Sequence, residues 1–142
     1  MLKGLDPLLS PDLLYVLAQM GHGDQVALVD RNFPAVSTAR CLVRLDGCDL
    51  PTAARAVLSV LPLDSFVERP IAAMDMVDQP GVVPEVQQDV FAVARTAEGR
   101  EVPVERLERF AFYARAREAF AVVATSEARP YGCVLLTKGV IF

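Results

Sequence analysis

Apolar positions along the chain follow two spacings in turn. Between Ser10 and Gly21, Leu13, Leu14, Leu17 and Met20 recur every three or four residues, the signature of a helix with one buried face. Ser10 suits the N-cap, Pro11 the first helical position and Gly21 a left-handed stop. "QVALVD" (residues 25–30) then reads as a short, nearly all-apolar strand of the kind covered on both faces. "RNFPAVSTAR" reads as a loop around Pro34, "CLVRL" as a second strand and "DGCD" as a turn. "LPTAARAVLSVLP" is expected to be a helix opened by Asp49 and Pro51 and closed before Pro62.

The same alternation continues to the C-terminus. "PIAAMDMV" has strand character, "QPGVVP" is a breaker cluster, and "PEVQQDVFAVARTAEG" is an amphipathic helix stopping at Gly99. "VPVERLE" reads as a strand. "RFAFYARAREAF" reads as a helix with Phe112, Ala116 and Ala119 on one side and Arg115 and Glu118 on another. "FAVVATSE" and "YGCVLLTKGVIF" are strand-like, parted by the turn "ARP". Strands alternating with helices predict an α/β fold, a central sheet with helices packed on it. With no internal repeat and no long linker, residues 1–142 are expected to form one compact domain.

Composition sharpens this picture in two respects. Apolar residues reach 53%, above the usual share, which predicts extra buried surface in the core or between subunits. The formal net charge is -4, and no run of Lys or Arg exceeds two, so neither nucleic acid nor an anionic membrane is an expected partner. "MLKGLDPLLS" lacks the apolar run and cleavage site of a signal peptide, and no segment approaches the roughly 20 apolar residues of a membrane span. Three cysteines, Cys41, Cys48 and Cys133, without a CxxC spacing, read as reduced thiols. A soluble cytoplasmic protein is the expectation.

Open α/β sheets place chemistry on loops just beyond strand ends. Three segments there carry polar groups: Gly21-His22-Gly23-Asp24, Asp30-Arg31-Asn32 and Tyr131-Gly132-Cys133. His22, the one histidine, can exchange protons near neutrality, but its spacing fits a surface or helix-capping role as well. Asp30 is harder to dismiss, because a carboxylate ending an apolar strand needs a partner or a cleft. Without CxxC or HExxH no transition-metal site is recognisable, and without GxGxxG or a P-loop a nucleotide cofactor lacks its cradle. No GxSxG elbow exists, and a Cys133–His22 nucleophile pair would lack a third, orienting group. Arg109 reads most simply as an ion-pair partner of Glu105 or Glu108, and Tyr131 as a strand aromatic. Phe110, Phe112 and Phe120 read as core or interface rather than as sugar-stacking platforms.

Several blocks in order, "SPDLLYVLAQMGHGDQVALVDRNFP", "RLDG", "LPLDSFVERP", "RFAFYARAREAFAVVAT" and "YGCVLLTKGV", span nearly the whole chain. Together they resemble the ribose pyranase/fucose mutarotase family, and "LPLDSFVE" with the long "ERFAFYARAREAFAVVAT" block favours its fucose branch. The resemblance implies a compact α/β isomerase that interconverts the α and β anomers of a reducing monosaccharide such as L-fucose, without a cofactor. It also implies homo-oligomers, ring-shaped decamers among them in bacterial members, with sites near subunit contacts. His22 falls on the family's catalytic histidine, a proton donor to the ring oxygen. Asp30, Arg109 and the segment Tyr131, Gly132 and Cys133 fall on substrate-binding positions, with Tyr113 beside them and Asp30 placed to orient the sugar or His22. Cys133 departs from the family's asparagine; a thiol donates and accepts only weakly. Two other readings follow from that departure and from the wider group: a sugar binder without turnover, and pyranose–furanose exchange of D-ribose.

Overall fold

The computed structural model describes residues 2–142. Six strands form one sheet: β1 (Gln25–Val29), β2 (Leu42–Leu45), β3 (Ile71–Met74), β4 (Val104–Leu107), β5 (Ala121–Thr125) and β6 (Val134–Thr137). Their order across the sheet is β2-β5-β1-β6-β3-β4. Every neighbouring pair is parallel except those made by β6, which runs antiparallel to both β1 and β3. The helices are α1 (Pro11–Gln19), α2 (Ala35–Thr38), α3 (Leu50–Leu58), α4 (Glu85–Glu98) and α5 (Arg109–Glu118).

Each strand feeds two cores. Val26 and Leu28 of β1 point with Val123 and Leu136 into a layer shared with α1, α3 and α4. Ala27 and Val29 point the other way, with Val122 and Leu135, against Phe33, Phe112 and Ala116 of the α2 and α5 side. Burial on both faces explains why the central strands read as continuous apolar runs rather than alternating ones. No described helix is long and apolar enough to cross a membrane.

Helix ends follow local chemistry. The Ser10 hydroxyl accepts the Leu13 N–H at 3.2 Å, the Asp49 carboxylate accepts the Thr52 N–H at 2.9 Å, and Gly99 closes α4 at φ 68°. Three expectations are corrected. The segment around Pro34 is not all loop: the turn α2 forms there, with Ala35 and Thr38 buried. Helix α1 stops at Met20, not at a left-handed Gly21. Met20 turns extended to bury its side chain, and Gly23 takes the positive φ of 88°. The last strand is also short, four residues rather than the whole of "YGCVLLTKGVIF".

Topology separates two ends of the sheet. Strands β1 and β5 finish at the end where β6 begins, so the segment 126–133 crosses over the end of β1. The opposite end holds the start of β1 and the finish of β6. There the Gly23 N–H donates to the Lys138 carbonyl at 2.9 Å and the Asp64 N–H to the Thr137 carbonyl at 3.0 Å. Gly139 presses against this second junction: a Cβ would lie 2.7 Å from both the Asp64 Cα and the Leu63 carbonyl oxygen. Gly139→Ala must therefore displace the backbone at 63–64. The expected loss is about 1–3 kcal/mol, read from urea unfolding midpoints.

Candidate active site

At the first end, Asp30 follows β1 with only 5% of its surface exposed. Burial of a carboxylate requires donors, and four converge on it. One oxygen accepts the Asn32 and Phe33 N–H groups at 2.9 and 3.1 Å. The other accepts the Gly132 N–H at 3.1 Å and the Cys133 thiol at 3.6 Å. Burial pushes the Asp30 carboxyl above its ordinary value; the N–H and thiol bonds pull it partly back.

Asp30 forms the floor of a cleft of about 210 Å³ bordered by Phe33, Met74, Arg109, Tyr113, Tyr131 and Cys133. The turn before β6 shapes one wall. Tyr131 sits at φ 62°, a left-handed conformation that residues with a side chain seldom adopt. Its hydroxyl accepts the Val77 N–H at 3.2 Å. Gly132 packs closely, since a Cβ there would lie 3.1 Å from the Glu127 Cγ and 3.4 Å from the Asp30 Cβ, and a larger residue would have to push Glu127 aside. Helix α5 supplies the opposite wall. The Glu108 carboxylate accepts the N–H groups of Phe110 and Ala111 and starts that helix, so it does not pair with Arg109. Glu105 pairs with Arg115 instead, at 3.3 Å. The Arg109 Nε donates to the Tyr113 hydroxyl at 3.1 Å, and its guanidinium lies 5.3 Å from the Phe110 and Tyr113 ring centres. Its remaining donors face solvent beside the cleft.

His22 stands at the other end of the sheet. The five residues of β1 alone span roughly 16 Å, so within one chain His22 meets neither Asp30 nor Cys133. That separation removes Asp30 as a group that orients the same chain's His22, and removes the Cys133–His22 pair. Cys133 is in any case held as a thiol, since burial and then the Asp30 charge push its pKa well up. His22 instead pairs with a carboxylate far from it in sequence. Its Nε2 lies 3.1 Å from the Asp64 carboxylate, which is almost wholly buried and also accepts the Phe66 N–H at 3.0 Å. Burial raises the Asp64 carboxyl, but the Phe66 N–H, the His22 ring and the Ser65 N–H outweigh it and hold it below the usual range. Phe66 stacks at a tilt on the imidazole, ring centres 5.2 Å apart. A carboxylate inside the apolar "LPLDSF" was the available signal.

Among the described residues, no group of three or more His, Cys, Asp or Glu side chains is gathered to hold a metal ion. A larger groove, about 660 Å³, lies between α3 and α4, lined by Pro51, Leu58, Ala92 and Val93. Its Asp89 is engaged by Arg129 and it lacks a buried titratable group, whereas the smaller cleft has the buried Asp30 at its floor.

Glu127 braces the crossing segment. Its carboxylate, 3% exposed, takes two bonds from the Arg129 guanidinium, at 3.0 and 3.1 Å, and the N–H groups of Arg129 and Leu50. The Arg129 side chain and these N–H groups lower its pKa from 4.5 to about 2 despite burial. A depressed carboxylate contributes stability that is complete above its unfolded value and lost as pH falls through its folded one. Glu127→Gln should therefore cost about 2 kcal/mol at pH 6, discounted because Arg129 is partly solvated. It should also flatten the decline in stability between pH 4.5 and 2, as read from urea midpoints across that range. Asp30, raised rather than lowered, contributes the opposite slope.

The chain matches, over residues 3–141, the model of the RbsD / FucU transport protein family. It is 47% identical over 146 residues to the fucose mutarotase of Homo sapiens, an alignment covering 99% of this chain and 94% of that protein. It is 43% identical over 140 residues to an L-fucose mutarotase of Actinobacillus pleuropneumoniae, covering 99% and 97%. Its structure superposes with a TM-score of 0.92 on the fucose mutarotase of Streptococcus pneumoniae in complex with L-fucose, at 35% identity and covering 99% and 100%. A two-faced α/β sheet, a buried strand-end carboxylate under a left-handed tyrosine turn, and likeness along the full chain lead to one conclusion: the chain belongs to the RbsD / FucU family.

Proposed function

We propose that this chain is a sugar mutarotase, an isomerase that interconverts the α and β anomers of L-fucose. The observation that carries the reading is the Asp30 cleft: a buried carboxylate, a tyrosine and an arginine converge at one strand end, in a chain alike throughout to fucose mutarotases. Asp30, Arg109, Tyr113, Tyr131 and Cys133 line the cleft that holds the sugar, and the Gly132 N–H fixes Asp30 there. Three free thiols fit a reducing cytoplasm.

Ring opening moves two protons and needs no cofactor. The imidazolium of His22 gives a proton to the ring oxygen as the bond from that oxygen to C1 breaks. The anomeric hydroxyl loses its proton to a base in the cleft or to water, leaving an aldehyde. Rotation about C1–C2 and closure onto the other face return both protons. Asp64 holds His22 at Nε2 and the side chain stays 45% exposed, which leaves Nδ1 for this exchange.

One sugar cannot touch both ends of β1. The site therefore takes its cleft from one copy and His22, with Asp64, from the next. Exposed apolar side chains at both ends support such a contact: Phe66 and Phe142 beside His22, and Phe110 and Val77 beside the cleft. Joining unlike surfaces head to tail makes a heterologous contact, which closes as a ring when its rotation permits.

Saturation transfer between the anomeric protons of L-fucose tests the reading. The protein should accelerate exchange well beyond buffer, and His22→Ala should lower the rate by about 10²- to 10⁴-fold while remaining folded. Exchange at the buffer rate with the sugar bound would make the protein a binder and not a mutarotase.

A further inference from the structure

Gln87, in the first turn of α4, is fully buried, an uncommon place for a side chain with four hydrogen-bonding positions. Its Nε2 donates to the Met74 carbonyl at 2.7 Å and to the Tyr131 carbonyl at 2.8 Å. Its Oε1 accepts from the Arg106 Nη1 at 2.6 Å, and the Arg106 Nε donates to the Asp75 carboxylate at 2.8 Å. One amide thus ties the end of β3 to the left-handed residue of the cleft, and a guanidinium from β4 fixes which way the amide points. Rotating that amide by half a turn would set its oxygen against two carbonyls and its NH2 against a cation. Gln87 does not border the cleft.

A positive φ at a residue with a side chain persists only where its surroundings hold it. The residue on each side of that turn matters: the Tyr131 hydroxyl reaches the cleft margin, and the next N–H, of Gly132, reaches Asp30. We propose that Gln87 is a positioning residue for sugar binding, acting through the Tyr131 carbonyl and kept in orientation by Arg106 and Asp75. It sets affinity without touching the sugar. This rests on the reading of the cleft as the sugar site.

Gln87→Met keeps the length of the side chain and removes both donors. Anomer-exchange rates measured against L-fucose concentration should show KM rising about tenfold with kcat little changed, because a misplaced binding wall weakens ground and transition states alike. Arg106→Met leaves the amide in place but free to turn, and should raise KM by a smaller factor. It also supplies the test if Gln87→Met fails to fold. A lower melting temperature with wild-type KM in either folded variant overturns the proposal, since a purely structural brace would behave so. Asp30→Asn separates the two levels of inference. Because Asp30→Asn turns over too slowly for a KM, L-fucose affinity is read by equilibrium binding: weakened affinity in Asp30→Asn alone sinks the role of Gln87 and leaves the cleft standing, whereas wild-type affinity in all three variants sinks both.

Discussion

The hydrogen bond from the Gly132 N–H to the Asp30 carboxylate governs how the rest of this molecule is arranged. Isolated burial of a carboxylate is costly, and the turn after β1 supplies donors to only one of its oxygens. The second oxygen needs backbone from elsewhere in the chain. That requirement is met because 126–133 crosses the end of β1 and β6 returns antiparallel beside it. Close approach at the crossing favours a small residue at 132 and goes with a braced Glu127, whose own carboxylate is satisfied by Arg129 and the Leu50 N–H. The carboxylate that results is held ready, desolvated yet still able to accept from a ligand.

The same sheet sets His22 apart from that carboxylate. Both flank β1, one at each end, and each has its own buried support: Asp64 for the imidazole, four donors for Asp30. A strand is stiff and its length is fixed, so no side-chain rearrangement brings the two together in one chain. In the proposed reaction, proton transfer to a sugar over Asp30 draws on a second copy, and exposed apolar side chains at both ends offer surfaces for that contact.

Much of this was legible in the sequence, for local reasons. Ser10, Asp49 and Gly99 mark helix ends through groups within three residues, so their caps were readable. Asp30 was readable because a charge ending an apolar strand is conspicuous. Pro34 in the sequence predicts an irregular segment, whereas it starts the turn α2. The bonds of Asp64 to His22 and of Gln87 to Tyr131 are not legible in the sequence, because the partners lie 42 and 44 residues away and only the folded sheet brings them together. On the residues alone Arg109 reads as the partner of a neighbouring glutamate, while the resemblance sets it among the substrate-binding positions. The structure gives both glutamates other work, capping α5 and holding Arg115, and stacks Arg109 on aromatic rings instead. The expected nearness of His22 and Asp30 in function, though not their distance in one chain, came from resemblance alone.

Mixing two inactive variants tests the shared site most directly. His22→Ala and Asp30→Asn chains would be unfolded together, refolded as mixed oligomers, and assayed for L-fucose anomer exchange against each variant alone. If one site draws His22 from one copy and Asp30 from the next, an equal mixture should regain about a quarter of wild-type activity, the share of contacts that join two intact halves. Mixed oligomers that form yet stay as inactive as the separate variants would contradict the account and place the whole site within a single chain.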